Sequence, residues 1–180
     1  KMEVEQMQHC EIRNKHRVER AIIMAAGTGT RMRPVTLDTP KPLIRVNGVR
    51  MIDTVIRALQ ENGIFEIYVV TGYQKEQFAC LTENYEGVQL IENPYWASCN
   101  NIASLYVARE HLENAMILDG DQMVYKKEIL APEFTRSGYN AIWTDAETDE
   151  WLSMTRVSLI CWIWVMLLPS ISRKARSTDP

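Results

Sequence analysis

Cysteine, histidine and net charge are all scarce in this chain, and each scarcity excludes something. The four cysteines, Cys10, Cys80, Cys99 and Cys161, form no C-x-x-C pair, and His9, His16 and His111 complete no zinc-ligand spacing. Neither a zinc module nor a disulfide framework is expected, and the cysteines read as reduced, mostly buried thiols of a cytoplasmic protein. The formal net charge is −3 over 180 residues, without the surplus of lysine and arginine that nucleic-acid binders use against phosphate backbones, so no nucleic-acid partner is expected. Long hydrophobic runs are missing too. The stretch without charge from Val157 to Ile171 has an apolar core of about a dozen residues against the roughly twenty of a membrane helix. The N-terminus is charged throughout and offers no apolar segment of a secretory signal.

What is present is a globular composition, 46% hydrophobic, with room for one domain and a real core. Ala21 to Ala25 is a short apolar run closed by Gly27, which reads as a buried strand feeding a loop. Ile52, Val55, Ile56 and Leu59 recur at helical spacing and Asn62-Gly63 supplies a stop, predicting a helix over 51–62. Further strands are expected at 67–70, 88–91 and 115–118, with helices over 75–85 and 102–111; in the last, Ile102, Leu105, Tyr106 and Leu112 are expected to face inward. Strands alternating with helices imply right-handed crossovers and a mostly parallel sheet covered on both faces, a Rossmann-like α/β three-layer sandwich. Ligands of such sheets sit beyond the carboxyl ends of the strands. The loops from Gly27 to Lys41, at Gly72-Tyr73 and from Asp119 to Asp121 all follow strands, so they should converge on one edge.

The first of these loops, "AAGTGTRMRPVTLDTPKPL", is the most informative. It is not a P-loop, since Gly29 is followed by Thr30-Arg31 instead of Lys-Ser/Thr, and it is not G-x-G-x-x-G, since Met32 occupies the third glycine position. Gly27 and Gly29 nonetheless let backbone N–H groups approach anionic oxygens, and Arg31 and Lys41 add charge. Arg31, Arg33, Lys41, Arg45 and Arg50 face only Asp38 in this stretch, so the positive charge is local in an otherwise acidic chain and suits a small anion. Pro34, Pro40 and Pro42 stiffen the segment, so less ordering is left for the moment of binding. The plainer reading, a glycine turn on a basic surface, uses the same residues. Asp119 and Asp121 lie two apart at a strand end, where an extended chain would point both the same way; Asp-Gly is also ordinary turn chemistry. Asn100 and Asn101 open a helix, where an N-cap role is the default. Tyr73 can cover a base or simply the helix behind it.

The long signature resembles A-A-G-x-G-[ST]-R-x-x-P…T-x-x-x-P-K-P-[LM] of the nucleotidyltransferases that activate sugar phosphates and choline phosphate. "GYQKEQF" (72–78), "NNIASLY" (100–106), "ILDGDQMVYKKEIL" (117–130) and "TRSGYNAIWTDAETDEW" (135–151) look like the matching stretches of bacterial CTP:phosphocholine cytidylyltransferases. The resemblance runs from about residue 20 to residue 153 and implies a sheet of the nucleotide-diphospho-sugar transferase type. It implies that choline phosphate attacks the α-phosphorus of CTP, releasing pyrophosphate and forming CDP-choline. Such chemistry asks for alignment and charge neutralisation, and no general base, because a phosphate monoester is already largely ionised near neutral pH.

By that resemblance Gly27, Thr28, Gly29 and Thr30 hold the triphosphate, with Ala25, Ala26, Gly72, Tyr73, Asn100 and Asn101 near the nucleotide. Arg31 sits on the leaving pyrophosphate and Lys41 bridges the attacking phosphate and the α-phosphate. Asp121 binds Mg²⁺, and Asp119 lies on the substrate side behind it. Trp151 belongs to an aromatic cage for the quaternary ammonium, which can donate no hydrogen bond, with Asp149 or Glu150 adding negative charge; a packing role for Trp151 stays open.

Three segments are expected: 1–19, a leader or the tail of a preceding domain; 20–154, the nucleotidyltransferase domain; and 155–180, a non-homologous tail replacing a C-terminal portion with a second metal-binding aspartate. No acidic residue lies between Glu150 and Asp179, so the expected chain is C-terminally truncated and impaired in turnover. A sugar-1-phosphate nucleotidyltransferase and a non-catalytic nucleotide-binding module are the alternatives. Oligomeric state stays open.

Overall fold

The computed structural model of the protein describes residues 15–99, 101–144 and 158–166. In chain order its elements are β1 (His16–Arg17), β2 (Arg20–Ala25), β3 (Arg45–Val46), β4 (Val49–Arg50), α1 (Met51–Glu61), β5 (Glu66–Thr71), α2 (Ala79–Asn84), β6 (Val88–Glu92), α3 (Ile102–Val107), β7 (Ala115–Asp119), β8 (Glu133–Phe134), β9 (Gly138–Thr144) and β10 (Ser158–Met166). The main sheet has the order β6-β5-β2-β7-β10-β9. β6, β5, β2 and β7 are parallel, with Ile22 opposite Tyr68 on one side and Ile117 on the other, and β10 runs antiparallel between β7 and β9. The chain steps outward from β2 through β5 to β6, then returns to the other side of β2 as β7. The strand order therefore reverses at the β2/β7 crevice, the position at which open α/β sheets bind ligands.

Strand alternation divides the core into two layers. Ala21, Ile23, Ala25, Ile67, Val69, Met116 and Leu118 turn to the face covered by Ile52, Val55, Ile56 and Leu59 of α1 and by Phe78 and Leu81 around α2. Ile22, Tyr68, Val70, Ala115 and Ile117 turn to the opposite face, under Leu105, Val107, Ala108 and Leu112. With both faces covered, the strands read as continuous apolar runs, which is why the sequence announces them. The three-layer sandwich with a mostly parallel sheet is what the sequence leads one to expect.

The helices differ from expectation in detail. The segment expected to be helical over 75–85 is a 3-10 turn at Lys75–Phe78 followed by α2, and α3 ends at Val107 before a second turn at Arg109–His111. Ile102 and Tyr106, expected inside, are 53% and 59% exposed; α3 instead buries Ala103 and Ser104. Small side chains let this short helix approach the sheet closely, and Ser104 Oγ accepts from the buried Asn93 Nδ2 at 3.1 Å. The thiols also depart from expectation, since Cys80 is half-buried and Cys99 exposed, both free. Cys99 lies in the loop after β6, and Cys80 Sγ accepts from Arg50 Nη1 at 2.8 Å.

β3 and β4 form a two-residue hairpin whose turn, Asn47-Gly48, has φ of +51° and +83°. Asn-Gly is the pair that such a turn demands, a signal the sequence reading passed over. The segment boundaries drawn from sequence meet strands. β1 pairs with β8 and Val18 is 1% exposed in the core, while Ser158–Met166, placed in the tail on sequence, lies in the main sheet as β10. Cys10 lies outside the described residues.

Two phenols, the buried Tyr68 and the half-buried Tyr85, make stability fall in alkali. Burial pushes Tyr68 above the ordinary tyrosine range, helped by its hydrogen bond to Glu66 Oε1 at 2.8 Å, and burial with the charge of Asp53 does the same for Tyr85. A folded-state pKa above the unfolded one gives stability that is complete below the ordinary tyrosine pKa and is lost as pH rises through the folded value. The urea midpoint is expected to fall above about pH 10 and to fall less steeply for Tyr68→Phe. An identical slope in the two proteins overturns the assignment to Tyr68.

Candidate active site

At the carboxyl end of β2, Ala25 and Ala26 are 3% and 6% exposed. The backbone there is tied to both neighbours: Tyr73 N donates to Ala26 O at 3.1 Å, and Gly120 N donates to Met24 O at 2.9 Å. The loops after β5 and β7 are thus bonded to the strand that opens the glycine loop, and the three loops expected to converge do so. Gly27 is exposed, Thr28 half-buried, and Gly29 adopts φ +62° and ψ 34° just before the 3-10 turn Thr30–Met32. That left-handed conformation suits glycine, and space is closed as well. A Cβ on Gly29 would fall 2.9 Å from Thr36 Cγ2 and 3.2 Å from Lys41 Cβ. Thr36, 1% exposed, completes the lock by donating from Oγ1 to Gly29 O at 2.9 Å.

From there the chain runs over the sheet edge as a strap to Lys41, which opens the 3-10 turn Lys41–Leu43 anchored by buried Pro42 and Leu43. Arg31 lies exposed on the strap. Lys41 Nζ bonds Asp121 Oδ2 at 2.5 Å, with each side chain 34% exposed. This contact joins residues 80 apart in sequence, a cation of the strap and a carboxylate of the loop after β7, at the β2/β7 crevice. An ion pair this accessible to water is worth about 1 kcal/mol or less, so either partner can be released to a ligand at little cost.

The expectation that Asp119 and Asp121 share one face does not hold for the reason given. β7 ends at Asp119 and Gly120-Asp121 is a turn, so the two-residue period of a strand stops between them, and it is the turn that carries Asp121 to Lys41. Gly72 is buried under Trp96, whose Cβ would lie 2.5 Å from a Cβ placed there. The Trp96 ring stands 5.6 Å from that of Tyr73 at 58°. Trp96 was not singled out on sequence, since a lone tryptophan in a loop carries no positional signal. Asn93 was missed as well, yet at 1% exposure it takes Tyr95 N on Oδ1 at 2.9 Å and fixes the loop leading to α3. Asn101 occupies the N-cap position of α3 with no side-chain cap bond. Asn100, Asp149, Glu150 and Trp151 lie outside the described residues.

The donor set suits Mg²⁺ borne by a substrate. That ion takes one or two carboxylates with phosphate oxygens and water, and Asp121 supplies a hard oxygen donor beside the cationic strap. Among the described residues no group of three or more His, Cys, Asp or Glu side chains could hold a metal by itself. No helix among them is long and apolar enough to cross a membrane.

A glycine cradle, a cationic strap and a carboxylate meeting at a switch point of a parallel sheet define a nucleotidyltransferase-type site. Residues 21–165 match the MobA-like NTP transferase domain, and the chain belongs to that family. It is 43% identical over 132 residues to the choline-phosphate cytidylyltransferase of Streptococcus pneumoniae, covering 73% of this chain and 57% of that protein. It is 47% identical over 134 residues to the 2-aminoethylphosphonate cytidylyltransferase of Lancefieldella rimae, covering 73% of this chain and 54% of that one. The solved CTP:phosphocholine cytidylyltransferase from S. pneumoniae matches with a TM-score of 0.66 and 37% identity, over 84% of this chain and 68% of the other. The resemblance read from the motifs is therefore borne out. The chain spans a little over half the length of the two curated relatives.

Proposed function

We propose that the chain carries the nucleotide half of a cytidylyltransferase that transfers CMP from CTP to choline phosphate, giving CDP-choline and pyrophosphate. The observation that supports this reading is the Lys41–Asp121 contact, which brings a lysine ammonium and a carboxylate together at one point of the sheet edge. An acceptor phosphate oxygen attacks the α-phosphorus while the bond to the pyrophosphate oxygen breaks. The acceptor arrives ionised, so no side chain has to take its proton. Gly27 to Thr30 cradle the triphosphate with backbone N–H groups, Arg31 steadies the leaving pyrophosphate, and Lys41 draws the two phosphates together against their repulsion. Asp121, backed by Asp119, would hold Mg²⁺, which would supply further neutralisation of phosphate charge. Tyr73, with Trp96 against it, is assigned to the cytosine and Gly72 lets that loop lie close, while the resemblance assigns Asn100 and Asn101 to the nucleotide and Trp151 to the choline.

A second acceptor follows from the similarity to the 2-aminoethylphosphonate enzyme: a phosphonate bearing a primary ammonium meets the same cradle, with hydrogen bonds taking the place of an aromatic cage. Titration calorimetry with CTP, UTP and GTP in Mg²⁺, followed by product analysis with choline phosphate and 2-aminoethylphosphonate, tests both. CTP is expected to bind at least tenfold more tightly than UTP or GTP. Absence of binding by any of the three overturns the reading, and a UTP preference moves it to sugar-1-phosphate activation.

A further inference from the structure

The strap from Gly29 to Lys41 has little apolar anchorage along its middle. Met32, Val35 and Leu37 are 37%, 53% and 50% exposed, and the buried Thr36 between them bonds back within the strap to Gly29 O and not to a neighbouring loop. Two amide side chains from the loop after β5 reach it instead. Gln74 Nε2 donates to Leu37 O at 2.6 Å and to Tyr73 Oη at 3.1 Å. Gln77 Nε2 donates to Asp38 O at 2.8 Å and to Gln74 Oε1 at 2.9 Å. Each Nε2 has two N–H bonds, and each of the four finds an acceptor, so the network fixes both amide orientations. Tyr73 Oη adds a longer contact to Leu37 O at 3.4 Å.

Gln74 holds its place at a cost. Its φ is +50°, a conformation that glycine takes freely and a glutamine does not. A turn serving only to connect β5 to α2 has no need of a side chain there. Thr39 and Pro40 alone separate Asp38 from Lys41, and Pro40 has φ −53°, so a fixed carbonyl at Asp38 leaves Lys41 little freedom.

We propose that Gln74 and Gln77 are positioning residues: their amides clamp the strap at Leu37 and Asp38 and thereby hold Lys41 on Asp121. The clamp acts through Lys41 and needs no contact with substrate; its effect on transfer rests on the function proposed above. It also ties the loop assigned to the base to the strap assigned to the phosphates, so that both halves of the nucleotide meet one rigid unit.

The test uses the full chain carrying Gln74→Gly and Gln77→Ala. Glycine suits the left-handed backbone at position 74 and removes the amide, so the thermal midpoint is expected to hold or rise for Gln74→Gly alone. In the absence of any nucleotide, labelling of Lys41 by an amine-reactive ester, read by peptide mass spectrometry, is expected to be several-fold faster in the double variant than in the original chain. With CTP and choline phosphate, kcat is expected to fall about tenfold while KM for CTP moves less than threefold, the signature of lost alignment. Gln77→Glu, which keeps the shape and cannot donate, should also speed the labelling. Unchanged Lys41 labelling in the double variant overturns the clamp, whatever the transfer assay reads. Faster labelling with unchanged kcat in an active enzyme overturns its positioning role. If the original chain neither binds nor uses CTP, the functional reading fails, and the labelling alone decides the clamp.

Discussion

Lys41→Ala is expected to slow CMP transfer by about a hundred- to a thousandfold, the range seen when one charge-stabilising donor is removed from a reacting centre. The ammonium bonds Asp121 in the loop after β7, and in the proposed reaction it stands where two anionic phosphates must approach each other. Its removal leaves that repulsion unopposed in the transition state. The fold should be almost unaffected, because the ion pair with Asp121 is a third exposed on both sides and contributes about 1 kcal/mol or less. Rate and stability are therefore expected to separate. Transfer assayed with saturating CTP and choline phosphate, beside a urea titration of the same sample, checks both. A rate within threefold of the original chain removes Lys41 from the chemistry. Asp121→Asn provides the comparison: loss of its charge should weaken the dependence of the rate on Mg²⁺, which Lys41→Ala leaves in place.

The second large effect is on folding and binding together. Gly29→Val puts a β-branched residue at φ +62° and drives its Cβ to within 2.9 Å of the buried Thr36 methyl. Strain at such a position and the forced displacement of a packed side chain together cost about 2–4 kcal/mol. Thr36 cannot retreat without releasing Gly29 O, and the strap that carries Lys41 moves with it. CTP affinity is expected to fall by more than tenfold, measured on the fraction still folded. Gly27→Ala is the control, since nothing lies within 4 Å of a Cβ there and its φ is not positive; its stability should stay within about 0.5 kcal/mol of the original. Equal losses from the two substitutions would refute the close-packing account of the glycine loop.

The site residues differ in how far the sequence could reveal them. Gly29 and Lys41 lie within one long motif, and the residue types alone indicate an anion cradle. Thr36 lies in that motif with nothing in the residue type to mark its role, because its partner is a carbonyl seven residues back, created only by the loop's curvature. Gln74 and Gln77 in "GYQKEQF" are equally silent, since an amide that bonds a carbonyl 37 or 39 residues away leaves no trace in local pattern. The inward face expected for the helix after residue 101 holds at Leu105 and Leu112 and fails at Ile102 and Tyr106, which apolar periodicity weighs heavily. The structure buries Ala103 and Ser104 most deeply beside them, residues that periodicity cannot distinguish from filler.

Local order and class of architecture followed from the sequence alone: unbroken apolar runs alternating with helical spacing admit few solutions other than a parallel sheet covered on both sides, and the loops at its carboxyl edge are then determined by strand direction. Tertiary structure decided which of those loops touch. The reversal of strand order between β2 and β7, the turn that ends β7 at Asp119 and the amides that seat the strap bring Lys41 to Asp121. Each is a contact between segments far apart in the chain, and its geometry depends on the packing of everything between them.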